Sequence, residues 1–466
     1  MKQVSNLIYD LENKCEPEKI SVTHKGQDYE VYPWIKPFLF SAIQTGIKPN
    51  SGDMSMWFQF KKLFSGWTFF FKKYKTVIIS NSLERRCLDG VVYDKLFHYL
   101  SNQKSLQPCM TIESKFPSNH YPLTQYKNPI CASRSIFFLR ELLYRLFFVR
   151  KVTIKEASVL KDFISDQGIN IDIKQAIRKN IAQYKVMYRF FKRRPEVKYV
   201  FLTVSYTNFG LIKACKELGI KVIEVQHGVI NSEHYGYSYY YSPNQNQFPD
   251  YLLTLGDADC DFFKKNPLTK FFKVESIGSF IIEYYSNQYC SGPERELNKS
   301  RVVVSLQDCE TGVSAVSSFI KLAELNPEVD FYFKRRRIAM DFYLEKFVFP
   351  KNILFENDQS IYELMVSCDI HLTAYSSCAL EAPSLGLRNI LFNSDNKAKQ
   401  YYLDKLPEGS LNSYCNNEDE MHIALNEYIL NKLAAEEIKE SNNQNLKNNY
   451  FNNIDSFLEN HILNEV

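Results

Sequence analysis

A chain of 466 residues is longer than one hydrophobic core usually takes, so two domains are expected, and a peptide hormone, a lone binding module and a disulfide scaffold are excluded. With 45% hydrophobic and 24% charged residues, it has the apolar content for sizeable cores and lacks the composition of a disordered chain. The 57 Lys and Arg against 53 Asp and Glu leave a formal net charge of +4, too small over this length to imply nucleic acid as a partner.

From the N-terminus, MKQVSNLIYDLENKCEPEK turns acidic and polar where a signal peptide would carry its apolar region. No apolar run reaches the roughly 20 residues of a spanning helix, so a protein neither exported by that route nor integral to a membrane is expected. The 11 cysteines lie singly without a C-x-x-C pair, an odd count that fits a reduced cytoplasmic chain and disfavours zinc. The first third is aromatic-rich, with one clear strand, TVIIS at Thr76 to Ser80, followed by a loop and a helix. From Ser133 to Val152 the chain is apolar almost all round, and Arg134, Arg140, Arg145 and Arg150 do not gather on one face. That pattern predicts a buried helix, with an interfacial segment as the alternative.

The middle of the chain is more regular. KYVFLTVSY (Lys198 to Tyr206) predicts a strand, NFGLIKACKELGI a helix and KVIEVQHG the next strand and its exit, which together make a right-handed βαβ unit of a parallel sheet. PDYLLTLGD, a helix and KVESIGS continue the series. SNQYCSGPERELNKS (Ser286 to Ser300) is the best linker, and beyond it a second series runs RVVVSLQ, GVSAVSSFIKLAELN, VDFYFKRR, NILFEN, SIYELMVSC, DIHLTAY, SCALEAPSLG and NILFN. The expected organisation is α/β, with an N-terminal domain over 1–288, a second parallel-sheet domain over 298–430 and a helical tail over 431–466.

Ligands of open parallel sheets sit beyond the carboxyl ends of the strands, where loops and helix N-termini converge. Two strand exits therefore matter. At the first, Thr373-Ala374-Tyr375-Ser376-Ser377 leads into a helix, and its hydroxyls and backbone N–H groups suit a phosphate. Glu381, one turn on, is placed to accept hydrogen bonds from ribose hydroxyls. The plain alternative is that one serine caps the helix, but neither has Glu or Gln three residues later to complete a capping box. At the second exit, Gln226-His227-Gly228 follows KVIEV, with His227 as a candidate general base and Gly228 permitting a sharp turn or close ligand approach. A histidine beside a glycine is by itself usually a loop residue, and its strand-exit position is what raises it. His234 and Tyr237 are weaker candidates to line the same site.

Lesser candidates for contact with phosphates or base are Gln307, Thr311 and Gly312 after the first strand of the second series, and Lys334 and Arg335 after VDFYF, where a cation can neutralise phosphate. Plain turns and solvated charge are the competing readings. Arg85 and Arg86 are weak candidates for an anionic acceptor, and His371 reads as a core or sheet-edge residue. G-x-G-x-x-G, Walker, H-E-x-x-H and G-x-S-x-G patterns do not occur, which argues against dinucleotide oxidoreductases, P-loop enzymes, zincins and serine hydrolases.

The stretch SIYELMVSCDIHLTAYSSCALEAPSLGLRNILF resembles the nucleotide-binding half of bacterial GT-B glycosyltransferases of capsule and lipopolysaccharide synthesis. VIEVQHGVI with HYGY resembles their N-terminal half, with relatives among capsular Kdo transferases, sialyltransferase-like proteins and CDP-glycerol glycerophosphotransferases. Relatives often carry a His-Pro pair where this chain has Lys334-Arg335-Arg336-Arg337. The resemblance implies two Rossmann-like domains facing across a cleft, with no metal and no cofactor beyond the donor. Ser376 and Ser377 would hold donor phosphate, Glu381 the ribose, and His227 would act near the reacting centre. It also implies a glycosyl group moved from a nucleotide sugar to an acceptor hydroxyl, on an oligosaccharide or a lipid carrier. A lipid-linked acceptor would place the protein peripherally on the cytoplasmic face of the inner membrane, through the aromatic, basic N-terminal region. A non-hydrolysing sugar-nucleotide epimerase and a non-catalytic nucleotide-binding subunit of an envelope assembly complex are the two rival readings.

Overall fold

The computed structural model describes residues 2–45, 60–88, 90–116, 123–127, 131–149, 151–231, 234–264, 266–289, 299–306, 310–334, 344–356 and 359–463. The chain divides into two compact units, each built on a twisted, largely parallel sheet with its own apolar core.

The first domain comprises Met1–Thr254, Asp259–Glu275 and Leu458–Val466. Its main sheet has seven strands: β1 (Thr76–Asn81), β2 (Cys109–Ser114), β3 (Cys131–Ser133), β4 (Tyr199–Leu202), β5 (Lys221–Val225), β6 (Tyr251–Thr254) and β7 (Lys273–Ser276). Their order is β7-β6-β5-β4-β1-β2-β3, and every pair from β6 to β3 is parallel. The chain starts at β1, winds outward through β2 and β3, then returns to lay β4 on the other side of β1. The topological switch point thus lies between β1 and β4. Strands buried on both faces read as continuous apolar runs, which is why Tyr199–Leu202 and Tyr251–Thr254 are buried at every position.

Three helices of this domain matter below: α1 (Ser135–Phe148), α2 (Ile173–Lys192) and α3 (Phe209–Glu217). Asp172 caps α2 by accepting from the Gln175 N–H at 3.1 Å. α3 approaches α2 through Gly210, where a Cβ would lie 2.4 Å from the Asn180 carbonyl oxygen. The expectation that the Ser133 to Val152 helix is buried fails in its second half. Leu143, Leu146, Phe147 and Phe148 of α1 are all exposed, because only the face bearing Phe137 and Tyr144 packs inward.

The second domain comprises Leu255–Ala258 and Ser276–Phe457. Its six strands are β8 (Arg301–Ser305), β9 (Asp330–Lys334), β10 (Ile353–Phe355), β11 (Ile370–Thr373), β12 (Arg388–Phe392) and β13 (Asn412–Cys415). All pairs are parallel in the order β10-β9-β8-β11-β12-β13, so the switch point falls between β8 and β11. α4 (Glu310–Leu325) follows β8, α5 (Ile361–Ser367) precedes β11 and the short α6 (Cys378–Glu381) follows it. A capping box starts α5: Ser360 Oγ accepts from the Glu363 N–H, and the Glu363 carboxylate accepts from the Ser360 N–H. The predicted helix SCALEAPSLG is broken, because Pro383 follows α6 and the chain continues as a 3-10 turn to Leu385.

The observed division differs from the expected boundaries at 288 and 430. The helix Phe280–Tyr289 packs in the second domain, where Tyr285 stacks on Tyr362 and hydrogen-bonds Ser360 at 3.0 Å. Most of the expected tail also packs there, with Asn442 donating to the Leu380 carbonyl at 3.0 Å and to Ser384 at 2.8 Å. The last residues belong to the first domain: Tyr199 on β4 donates to the Ile462 carbonyl at 2.9 Å, and His461 meets Glu275 at 2.6 Å. Within the predicted linker, residues 290–298 lie outside the described residues.

Candidate functional site

At the switch point of the second domain, the carboxyl end of β11 is tied to β8 by Thr373, whose hydroxyl donates to the Ser305 carbonyl at 2.9 Å and accepts from the Ser376 N–H at 3.3 Å. Thr373 is therefore buried framework beneath the turn and offers no free hydroxyl to a ligand. Ser376 is half-buried and its Oγ accepts from the Cys378 N–H at 3.4 Å, while Ser377 is exposed and makes no side-chain cap. The capping explanation for Ser377 thus does not hold, since its backbone is already helical and its hydroxyl accepts no cap hydrogen bond. Glu381, half-buried, accepts from the Tyr362 hydroxyl at 3.2 and 3.4 Å, and the Tyr285 ring stacks on Tyr362. One carboxylate can accept about four hydrogen bonds, so Glu381 is oriented by tyrosine and keeps acceptor capacity.

Beneath this turn runs a line of buried polar groups that the sequence did not reveal. Asn389 on β12 donates its amide to the Ala379 carbonyl at 2.8 Å and to Asn412 Oδ1 at 2.9 Å. Its Oδ1 therefore accepts from His371 Nδ1 at 2.8 Å, which leaves His371 Nε2 to accept from Ser305 Oγ at 2.8 Å. His371 is fully buried, and burial pushes its pKa down to about 4 while the Asn389 bond partly offsets this. It is a neutral core histidine, and through Asn389 it fixes the helix that carries Glu381.

The remaining donor-side candidates distribute unevenly. Lys334, at the end of β9, donates to the Glu356 carbonyl at 3.1 Å. Thr311 and Gly312 lie in the first turn of α4. Gln307 and Arg335 lie outside the described residues. A pocket of about 210 Å³ opens in the same domain among Arg301, Asp369 and Arg388, at the amino ends of the strands. Ligands of parallel sheets bind at the opposite end, so this pocket is not the candidate site.

In the first domain, His227 follows β5 and is half-buried, and its Nδ1 has no hydrogen-bond partner among the described residues. Burial lowers its pKa, Glu84 partly restores it and Lys95 lowers it further. Its imidazole is therefore neutral at pH 7, the form a general base needs. Glu84 and Lys95 form a mostly buried ion pair at 3.3 Å. Burial alone would raise the Glu84 carboxyl, but Lys95, His227 and Arg86 outweigh it and hold it below its ordinary value. This carboxylate, amine and imidazole cluster gathers residues from the exits of β1 and β5, and only His227 was legible beforehand. Nearby, Val204 leaves β4 with φ of 57° and ψ of 60°, a left-handed conformation that strains a β-branched residue at the switch point.

Gln226 donates to the Gly228 carbonyl at 2.8 Å and shapes the exit. Gly228 does not adopt a left-handed backbone and a Cβ there would meet nothing within 4 Å, so neither its conformation nor its packing demands glycine. His234 accepts from the Gly236 N–H at 3.1 Å and packs against the rings of Tyr206, Tyr235 and Tyr237. Burial, and the neighbouring His227, push its pKa down to about 3. Tyr237 is a core residue rather than a lining one: it is buried and donates to Glu224 at 2.7 Å, which also accepts from the Ser205 N–H at 2.8 Å. Arg85 is likewise withdrawn, buried against Glu113 at 2.6 Å and stacked on Tyr126. Arg86 donates to the Leu83 and Arg85 carbonyls at 2.8 Å each. Among the described residues, no group of three or more His, Cys, Asp or Glu is placed to hold a metal ion.

Two successive Rossmann-like parallel-sheet domains, each with a switch point flanked by polar groups, define a GT-B-like fold. No family model and no curated protein matches the sequence. Among solved structures, the chain is similar to MnaA of S. aureus in complex with UDP, at 10% identity over 84% of this chain and 98% of that one, with a TM-score of 0.51. It is also similar to CalG4, the calicheamicin glycosyltransferase, at 9% identity over 84% and 100% of the two chains and a TM-score of 0.49. UDP-GlcNAc 2-epimerase of Neisseria meningitidis bound to UDP-GlcNAc matches at 12% identity over 83% and 100%, with a TM-score of 0.46. At these identities the likeness is one of fold, and the S. aureus structure carries it. No described helix is long and apolar enough to cross a membrane.

Proposed function

We propose that this chain is a nucleotide-sugar enzyme that breaks the glycosyl–phosphate bond of its donor. The observation that carries the reading is the turn at the β8/β11 switch point. There Ser376 and Ser377 lie over a fixed framework, and a tyrosine-oriented Glu381 keeps acceptor capacity one turn away. Hydroxyls and N–H groups at that turn would take the diphosphate, and Glu381 the ribose hydroxyls. When the sugar–phosphate bond breaks, negative charge gathers on the leaving nucleotide, and preorganised donors stabilise it more in the transition state than in the ground state. His227, neutral and near the Glu84 carboxylate, is the proton-transfer group of this reading. UDP is the first nucleotide to test, because the S. aureus structure of like fold holds it.

Epimerisation of the donor itself is the form favoured within this class. It needs no second substrate, and the arginines expected to meet an anionic acceptor are committed elsewhere, Arg85 to Glu113 and Arg86 to backbone carbonyls. Glycosyl transfer to an acceptor hydroxyl of a capsule or lipopolysaccharide is the second reading, supported by the Gln226-His227-Gly228 exit and the Ser-Ser and Glu-Ala order around α6. Thermal-shift measurements against UDP, CDP, GDP and CMP test the nucleotide site, since ligand binding raises apparent stability by mass action. Incubation with the stabilising nucleotide's sugars alone, read by NMR, then decides the form. An isomerised sugar supports epimerisation, and product only after addition of an acceptor supports transfer. Nucleotide binding with neither product leaves a non-catalytic subunit, and no stabilisation by any nucleotide refutes the proposal.

A further inference from the structure

The first domain carries a feature that the proposed chemistry does not use. α1 leaves Leu143, Phe147 and Phe148 exposed by 44, 60 and 55%. The turn Trp67–Phe71 leaves Trp67 and Phe71 exposed by 46 and 77%, with Trp67 edge-on to both Phe64 and Phe71. Large apolar side chains clustered in this way are uncommon on a soluble surface and mark contact sites. Between these segments and the end of α2 runs a groove of about 940 Å³.

The groove's charge is one-sided. Lys72, Lys73, Arg140, Arg189, Arg193 and Arg194 line it, against the single acid Glu196. Arg194 is held in place, its guanidinium over the Phe190 ring at 4.0 Å and donating to the Phe70 carbonyl at 2.6 Å. Burial lowers its pKa; Glu196 opposes this, and the nearby Arg140 and Arg193 add to it, so three guanidiniums line the groove around one carboxylate. Like charges packed at the rim of an aromatic edge are costly in isolation and complementary to a surface of anionic headgroups. Protruding Trp, Phe and Leu flanked by Lys and Arg is also the composition of an element that lies in a membrane interface, with rings at headgroup depth.

We propose that this groove and its aromatic edge seat the protein on a bilayer containing anionic phospholipid. The inference does not depend on the proposed reaction, and its test uses neither nucleotide nor turnover. Full-length protein is floated with vesicles of phosphatidylcholine containing about one third phosphatidylglycerol, and with phosphatidylcholine alone. Binding is expected to the anionic vesicles and to weaken as salt shortens the screening length. Arg140→Ala with Arg193→Ala should lower the partition coefficient roughly twenty-fivefold, at about fivefold per surface charge. Trp67→Ser with Phe71→Ser should lower it while circular dichroism stays unchanged. Wild-type protein that stays in the aqueous fraction overturns the proposal. So does equal binding to both vesicles that the arginine changes leave unmoved.

Discussion

His371 makes the stability of the second domain depend on pH in a calculable way. Its ordinary pKa of 6.5 falls to about 4 in the fold, chiefly because burial penalises the imidazolium. A base with a lowered folded pKa contributes nothing above pH 6.5, where both states are neutral. Below that, the unfolded chain takes up a proton that the folded chain refuses, so stability falls until the folded pKa is reached. Moving from pH 7.5 to pH 5 therefore costs about 2 kcal/mol, or roughly thirtyfold in the opening equilibrium. Carboxylates such as Glu418, whose pKa is lowered mainly by hydrogen bonds to its own backbone and Ser318, lose their contribution at lower pH, outside this window. The assay is hydrogen exchange of peptides spanning β8 and β11, normalised for the intrinsic pH dependence of exchange, in the wild type and in His371→Gln. The wild type should lose about thirtyfold in protection between pH 7.5 and 5. The variant should start from a lower value and show a much flatter dependence. Equal slopes in the two proteins, or protection that rises as pH falls, would refute the reasoning.

Other outcomes follow from single contacts. Arg85→Ala leaves buried Glu113 with Lys115 at 3.6 Å and the Tyr126 hydroxyl at 2.9 Å but without its arginine, and should cost about 1.5–3 kcal/mol in urea unfolding, the loss of a hydrogen bond to a charged group. Glu381→Ala should weaken nucleotide binding by roughly tenfold to a hundredfold, the loss of hydrogen bonds to a charged group, with unchanged circular dichroism. Calorimetric titration with UDP measures it, and an unchanged Kd would remove Glu381 from the site. His227→Ala should lower kcat about a hundredfold or more and leave the Kd for nucleotide nearly unchanged. A change confined to Kd would make His227 a binding residue instead.

Most strands of both sheets were legible because a parallel strand buried on both faces reads as a mainly apolar run, as VVVS, IHLT, RNILF and KVIEV do despite one or two polar positions each, whereas β2, β3 and β13 were not expected. Once the strands are recognised, the rule that ligands sit beyond their carboxyl ends points to Ser376, Ser377 and Glu381 without any structure, and His227 at the exit of β5 follows from the same reasoning. What stayed hidden depends on partners distant in sequence. Nothing local marks Arg85 as buried, since its withdrawal requires Glu113 on β2, 28 residues away. Glu84 gains its role only when Lys95 and His227 reach it from separate elements.

The misplaced domain boundary has a similar cause. Ser-Gly-Pro marks a break in regular structure, and it does not say to which core the helix before it will attach. That choice rests on Tyr285 meeting Tyr362 and Ser360, a contact across 75 residues. The helix Ser135–Phe148 shows the limit of composition in another way. An all-round apolar sequence with scattered arginines satisfies both a buried helix and one lying at an interface, and only the exposure of Phe147 and Phe148 separates the two. If vesicle binding follows that exposed face, the same residues that misled the burial assignment are the ones that carry a second function.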